Sequence, residues 1–129
     1  MYRITIVNVE HKVIGIHWTS ELTSEGVEEA NRDIERLIQQ FSTPGFDVLV
    51  YMQDVTAFKP ETQKAIVAHQ EWLLDVGMQR AAVIVKSQVA KLQLKRTTRQ
   101  SKHKRELHFL NEDEALSFLI ENPVHEQVL

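Results

Sequence analysis

Asp54 holds the most chemically suggestive place in the chain, two residues after the apolar run Phe46–Met52. In several α/β folds a carboxylate there holds a metal or accepts a phosphoryl group. An acidic residue at that point also caps the turn by accepting backbone N–H bonds, and both roles stay open. The histidines are His11, His17, His69, His103, His108 and His125. No two have the close helical spacing with an intervening glutamate that a zinc site needs. His69 falls on an apolar helical stripe, and His17 and His108 fall within strand-like runs, the setting of hydrogen-bonded core histidines. The four glycines (Gly15, Gly26, Gly45, Gly77) are isolated, which excludes a dinucleotide fingerprint and a phosphate loop. Val7-Asn8-Val9 does not supply the acidic cluster of a receiver-type phosphoacceptor. The chain has no cysteine, which removes disulfides, thiolate metal sites and cysteine nucleophiles. It has no Gly-x-Ser-x-Gly elbow either. An enzyme working through Asp54 and His69 is therefore the most distant functional reading, and neither cofactor nor metal is expected.

The one unusual local signal is basic. Lys86, Lys91, Lys95, Arg96, Arg99, Lys102, Lys104 and Arg105 lie in a stretch without an acidic residue, whereas the other 109 residues hold seven basic and eighteen acidic side chains. On a helix, Lys91, Lys95, Arg99 and Lys102 fall three and four apart and form a cationic ridge, with Arg96 beside it. A phosphate-bearing ligand, anionic lipid head groups or an acidic protein surface would answer such a ridge. It carries no base-stacking aromatics, which speaks against nucleic acid. The ridge also reads as a solvated face that balances the acidic helices of the same domain.

These residues need a scaffold, and the periodicity supplies one. At 129 residues, 43% apolar and 26% charged, the chain suits one soluble globular domain spanning 1–129. Its ordered core is expected at about residues 2–122, with 123–129 as a tail. Tyr2–Val9 and Val13–Trp18 read as two strands joined by a tight turn, hence an antiparallel hairpin. Ser24–Phe41 is an amphipathic helix with Val27, Ala30, Ile34, Leu37, Ile38 and Phe41 on one stripe. Phe46–Met52 and Ala81–Val85 are strands covered on both faces. A helix starts at Pro60 and runs to about Val76, with Gly77 as its stop. A third helix, capped by Ser87, reaches about Ser101 with Val89, Ala90, Leu92 and Leu94 as its apolar face. Glu106–Leu110 is a short strand, and Asn111 caps a last helix through Asn122. The order ββαβαβαβα implies an α/β fold with a mostly parallel five-stranded sheet and an opening hairpin. No apolar run approaches a membrane span. With no signal peptide before the first strand, cytoplasm is the expected location.

Several motifs carry a resemblance. These are the hairpin ending in Gly15-Ile-His-Trp, the Glu21-Leu-Thr before the first helix, Val48-Leu-Val-Tyr-Met-Gln-Asp54-Val-Thr-Ala-Phe58, and Arg80-Ala-Ala-Val-Ile-Val85. The last are Arg105-Glu-Leu-His-Phe109 and Glu112-Asp-Glu-Ala-Leu-x-Phe-Leu119. Across residues 3 to 121 the chain resembles the STAS-like superfamily of anti-sigma-factor antagonists, sulfate-transporter soluble domains and a branch related to CRAL-TRIO lipid-transfer domains. That resemblance implies a bacterial regulatory module rather than an enzyme. In anti-sigma antagonists a serine at the start of the second helix, in an Asp-Ser-x-Gly context, is phosphorylated by a partner kinase. Here the stretch is Phe58-Lys-Pro-Glu-Thr62, without serine or glycine. Thr62 is the nearest hydroxyl, Thr56 lies earlier in the loop, and Glu61 puts a permanent negative charge where a phosphate would come and go. The resemblance thus points to a stand-alone branch.

Two binding expectations follow. A protein partner would contact Asp54, Thr56, Phe58, Lys59, Glu61 and Thr62. The alternative is a small anionic or lipid-like ligand in an apolar pocket near Trp18, Phe58 and Trp72, its head group held by Lys91, Lys95, Arg96, Arg99 and Lys102. Exposed edge strands at Tyr2–Val9 or Glu106–Leu110 would favour a homodimer.

Overall fold

The computed structural model describes residues 2–41, 45–101 and 106–122. The opening hairpin pairs β1 (Tyr2–Asn8) with β2 (Val13–Trp18) antiparallel. Then β3 (Phe46–Met52), β4 (Met78–Val85) and β5 (Glu106–Phe109) add in parallel, giving the spatial order β1-β2-β3-β4-β5. This is the mixed α/β sheet that the periodicity predicts. Because the strands follow one another in sequence, right-handed crossovers place every connecting helix on the same face. The helices α1 (Ser24–Phe41), α2 (Pro60–Asp75) and α3 (Gln88–Ser101) accordingly lie side by side. Their buried Val27, Ala30, Ile34, Ile66, Leu73, Ala90 and Leu94 share one core with Ile14, Val48, Val50 and Val83. The last helix, α4 (Glu112–Glu121), covers the other face with Ala115 and Leu119 against Leu49, Ala82 and Ile84.

Local chemistry starts and stops these elements where the sequence predicts. The Thr23 hydroxyl accepts from the Gly26 amide at 3.1 Å, Ser87 from Ala90 at 3.2 Å, and Asn111 from Glu114 at 2.9 Å. Each satisfies an amide left orphaned in a first helical turn. Pro60 opens α2, and Gly77, at φ 117°, follows its end. Among the described residues no helix is long and apolar enough to cross a membrane.

Two expectations are corrected. β4 begins at Met78 rather than Ala81, because Arg80 is part of the sheet and buried. Its Nη2 meets Asp47 Oδ2 at 2.7 Å and donates to the Leu119 carbonyl at 3.0 Å, while Nη1 donates to the Asn122 carbonyl. One guanidinium thus neutralises a buried carboxylate and caps the C-terminal end of α4. On α3, Val89 and Leu92 do not face inward: they are 56% and 60% exposed, and Ala90, Leu94 and Thr97 are buried instead. Positions i, i+4 and i+7 share a helical face; Val89 and Leu92 lie on the far side of that stripe.

Candidate functional site

The connections leaving β2, β3 and β4 stand next to one another at the carboxyl ends of the strands, where ligands and partners of α/β sheets gather. The middle one, Gln53–Lys59, is held by side chains from both neighbours. The Ser20 hydroxyl donates to the Asp54 carbonyl at 2.6 Å, and the Ser87 hydroxyl to the Thr56 carbonyl at 2.6 Å. Gln93 of α3 accepts from the Phe58 amide at 2.8 Å and donates to the Phe58 carbonyl at 3.0 Å. From α2, Gln63 reaches the Gln93 carbonyl at 3.3 Å. Val55 and Phe58 drop into the core as two plugs, while Asp54, Thr56, Ala57 and Lys59 face solvent. The loop is therefore a displayed, preorganised surface.

Of the six residues expected to meet a partner, Asp54, Thr56, Lys59 and Glu61 are exposed together on this surface. Phe58 and Thr62 are buried, and the Thr62 hydroxyl donates to the Leu22 carbonyl at 3.3 Å. They position the loop from beneath. The clamps Ser20, Ser87 and Gln93 escape a sequence reading, because polar side chains on two separate elements converge only in the fold. Beside the loop lies an open groove of about 500 Å³ between Ser20–Glu25 and Ala57–Thr62, with Leu22 and Phe58 in its wall and exposed Glu21, Glu25 and Glu61 at its rim.

The pocket expected near Trp18, Phe58 and Trp72 takes a different form. Trp18 and Phe58 line an apolar cavity of about 30 Å³, and Trp72 is not in its wall. That space admits a water molecule, whereas small-molecule pockets run to roughly 300–1,000 Å³. His69 seals the same region. It is 3% exposed, its Nδ1 lies 2.5 Å from Asn31 Oδ1, and Trp18 meets its ring edge-on at 5.4 Å. Burial lowers its pKa to about 3, so it is a neutral core histidine donating one hydrogen bond. Asp54 is exposed in a turn, so the two do not share a space in which they could act as a catalytic pair.

On α3, Lys95, Arg96 and Arg99 are exposed and Lys91 is half-buried; Lys102 lies outside the described residues. The far end of this helix is anchored by a polar network that the sequence does not reveal. The Glu106 carboxylate, with its side chain 3% exposed, accepts from Gln70 at 2.9 Å and Thr98 at 2.6 Å and meets His108 Nε2 at 2.9 Å. On the face of the sheet that α4 covers, His17 and Tyr51 stack at 4.0 Å with planes 2° apart. Burial pushes the His17 pKa down, and burial together with a hydrogen bond to Glu112 pushes that of Tyr51 up. Among the described residues no three His, Asp or Glu side chains converge as a metal site.

No family model matches the chain, and no curated protein does. Solved structures do. One is the anti-sigma-factor antagonist SpoIIAA in its unphosphorylated form, with a TM-score of 0.66 and 13% identity over 94% of this chain and 97% of that one. Another is the NMR structure of the protein TM1081, with a TM-score of 0.64 and 15% identity over 95% of this chain and 90% of that one. With its opening hairpin, parallel extension and four helices in the same arrangement along nearly the whole chain, the protein has a STAS-like fold.

Proposed function

We propose that the chain is a non-enzymatic regulatory module that binds a partner protein through the loop Asp54–Thr62 and the start of α2. The observation that carries this reading is the loop itself, whose backbone is fixed by Ser20, Ser87 and Gln93 while Asp54, Thr56, Ala57 and Lys59 are left to solvent. A loop held this firmly loses little conformational entropy on docking. The fold that it shares with an anti-sigma-factor antagonist supports the same class of role. Regulation differs from a serine switch. Thr62 is buried against Leu22, and Glu61 carries a fixed charge at the rim, so the contact surface is permanently acidic there.

The test is an affinity capture from the native lysate with wild-type, Lys59→Glu, Ala57→Arg and Lys64→Glu baits. A specific partner kept by wild type and Lys64→Glu and lost by Lys59→Glu supports the reading. Partners indifferent to Lys59→Glu and to Ala57→Arg overturn the assignment of the loop. Turnover in a phosphatase or esterase panel, abolished by Asp54→Ala, would sink the non-enzymatic reading.

A further inference from the structure

The displayed loop is flanked by opposite charges. No acidic residue occurs between Asp75 and Glu106, and α3, lying inside that stretch, turns outward a face of Val89 and Leu92, 56% and 60% exposed, edged by exposed Arg96 and Arg99. On the other side of the loop, the groove of about 500 Å³ has Leu22 and Phe58 in its wall and Glu21 and Glu61 on its rim. One flank is thus an aliphatic knob with a cationic edge, and the other is a partly apolar recess whose edge is net anionic, Glu21, Glu25 and Glu61 outnumbering Lys59. Gln93 ties the two flanks together through the backbone of Phe58, so their spacing is fixed before any contact is made.

We propose that this surface is self-complementary and docks a second copy of the chain about a two-fold axis through the loop, with α3 of each copy seated in the acidic groove of the other. The inference rests on reading the loop as a contact surface and names an occupant for it. A surface carrying both halves of a complementary pair closes on itself under two-fold symmetry, so each contact is made twice and no open chain of molecules results. Two exposed aliphatic side chains on one helix are unremarkable alone. Set in a cationic rim beside a recess of opposite sign, they find in a second copy both apolar cover and charge neutralisation. The dimer covers the loop, so a protein partner must displace one copy to reach it.

The experiment is sedimentation equilibrium on the purified full chain, from about 0.05 to about 0.5 M salt. Wild type is expected to dimerise, with the dimer weakened about tenfold or more across that salt range. The variants Arg96→Glu/Arg99→Glu and Glu21→Lys/Glu61→Lys should each be monomeric, because each makes both flanks the same sign. An equimolar mixture of the two variants should regain a dimer, which no general loss of folding can imitate. Circular dichroism checks each variant, and Leu92→Glu, a single exposed change, should also weaken the dimer. A wild type monomeric at every concentration overturns the proposal, as does binding to anionic vesicles or an acidic protein by that monomer. A dimer indifferent to both charge reversals, or a mixture that stays monomeric, overturns it as well. A monomeric wild type that still captures a partner sensitive to Lys59→Glu leaves the proposed function standing and removes only the self-association.

Discussion

The side-chain amide of Gln93 pairs with the backbone of Phe58 through both of its polar ends, accepting from the amide at 2.8 Å and donating to the carbonyl at 3.0 Å. This reproduces the hydrogen bonding of a neighbouring strand at a point where the loop has none. Replacement by Leu keeps the volume and removes both bonds, leaving two partly buried backbone groups without their partner. Gln93→Leu should lower stability by about 1–3 kcal/mol and speed exchange of the Phe58 amide hydrogen about tenfold or more. Gln93→Glu, which can still accept from that amide, should fall between. Unchanged exchange at Phe58 in Gln93→Leu would show that the clamp does not order the loop.

The buried His69 makes stability depend on pH. Its pKa is about 3 in the folded protein and about 6.5 when exposed in the unfolded chain. Below pH 6.5 the unfolded state therefore takes up a proton that the folded state refuses, and stability falls as pH drops from about 6.5 towards 3, by up to about 1.4 kcal/mol per unit. Urea unfolding at pH 7 and pH 5 should show a loss in wild type that is smaller by about 2 kcal/mol in His69→Gln, whatever that variant's stability at pH 7.

Asp47 and Arg80 form a buried ion pair at 2.7 Å, with side chains 4% and 8% exposed. Removing either partner strands the other charge, so Asp47→Leu and Arg80→Met should each cost about 3–5 kcal/mol. The double variant should be less destabilised than the sum of the two. A net loss should remain, because Arg80 also holds the Leu119 and Asn122 carbonyls at the end of α4. Chemical denaturation of the four proteins gives the coupling directly, and strict additivity would contradict the pairing.

Gly15 is required for space rather than for backbone freedom. A methyl group there would overlap Thr5 Oγ1 and approach Val7 Cγ2 to 2.8 Å, both on the neighbouring strand. Gly15→Ala should destabilise by about 1–3 kcal/mol through overpacking. Adding Thr5→Ala should recover part of that loss in thermal unfolding, while Thr5→Ala alone should be close to neutral.

The strands, helices and their order are legible in the sequence because burial writes a period into the chain, and Thr23, Ser87 and Asn111 cap helices in sequence-local patterns. The sheet arrangement follows from short connections. The departures share one cause. Val89 and Leu92 read as inward-facing because apolar residues usually are, and only the true stripe Ala90, Leu94, Thr97 shows otherwise. Arg80 reads as a strand boundary until Asp47 stands next to it. Phe58 and Thr62 belong to the right loop, yet no local pattern tells which of its side chains point down. The clamps and the Glu106 network pair residues about thirty or more positions apart as well as near neighbours, and polar partners at that separation leave no periodic trace.

The unbroken order β1-β2-β3-β4-β5 bears on how the chain comes to be folded. A hairpin is complete within the first eighteen residues, and every later strand pairs with the strand made just before it. No segment has to wait for a distant one to be synthesised, and no strand must be inserted between two that are already paired. Assembly can therefore keep pace with the ribosome, one βα unit at a time. At each stage the sheet has one fixed edge, the outer side of β1, and one growing edge, which ends at β5.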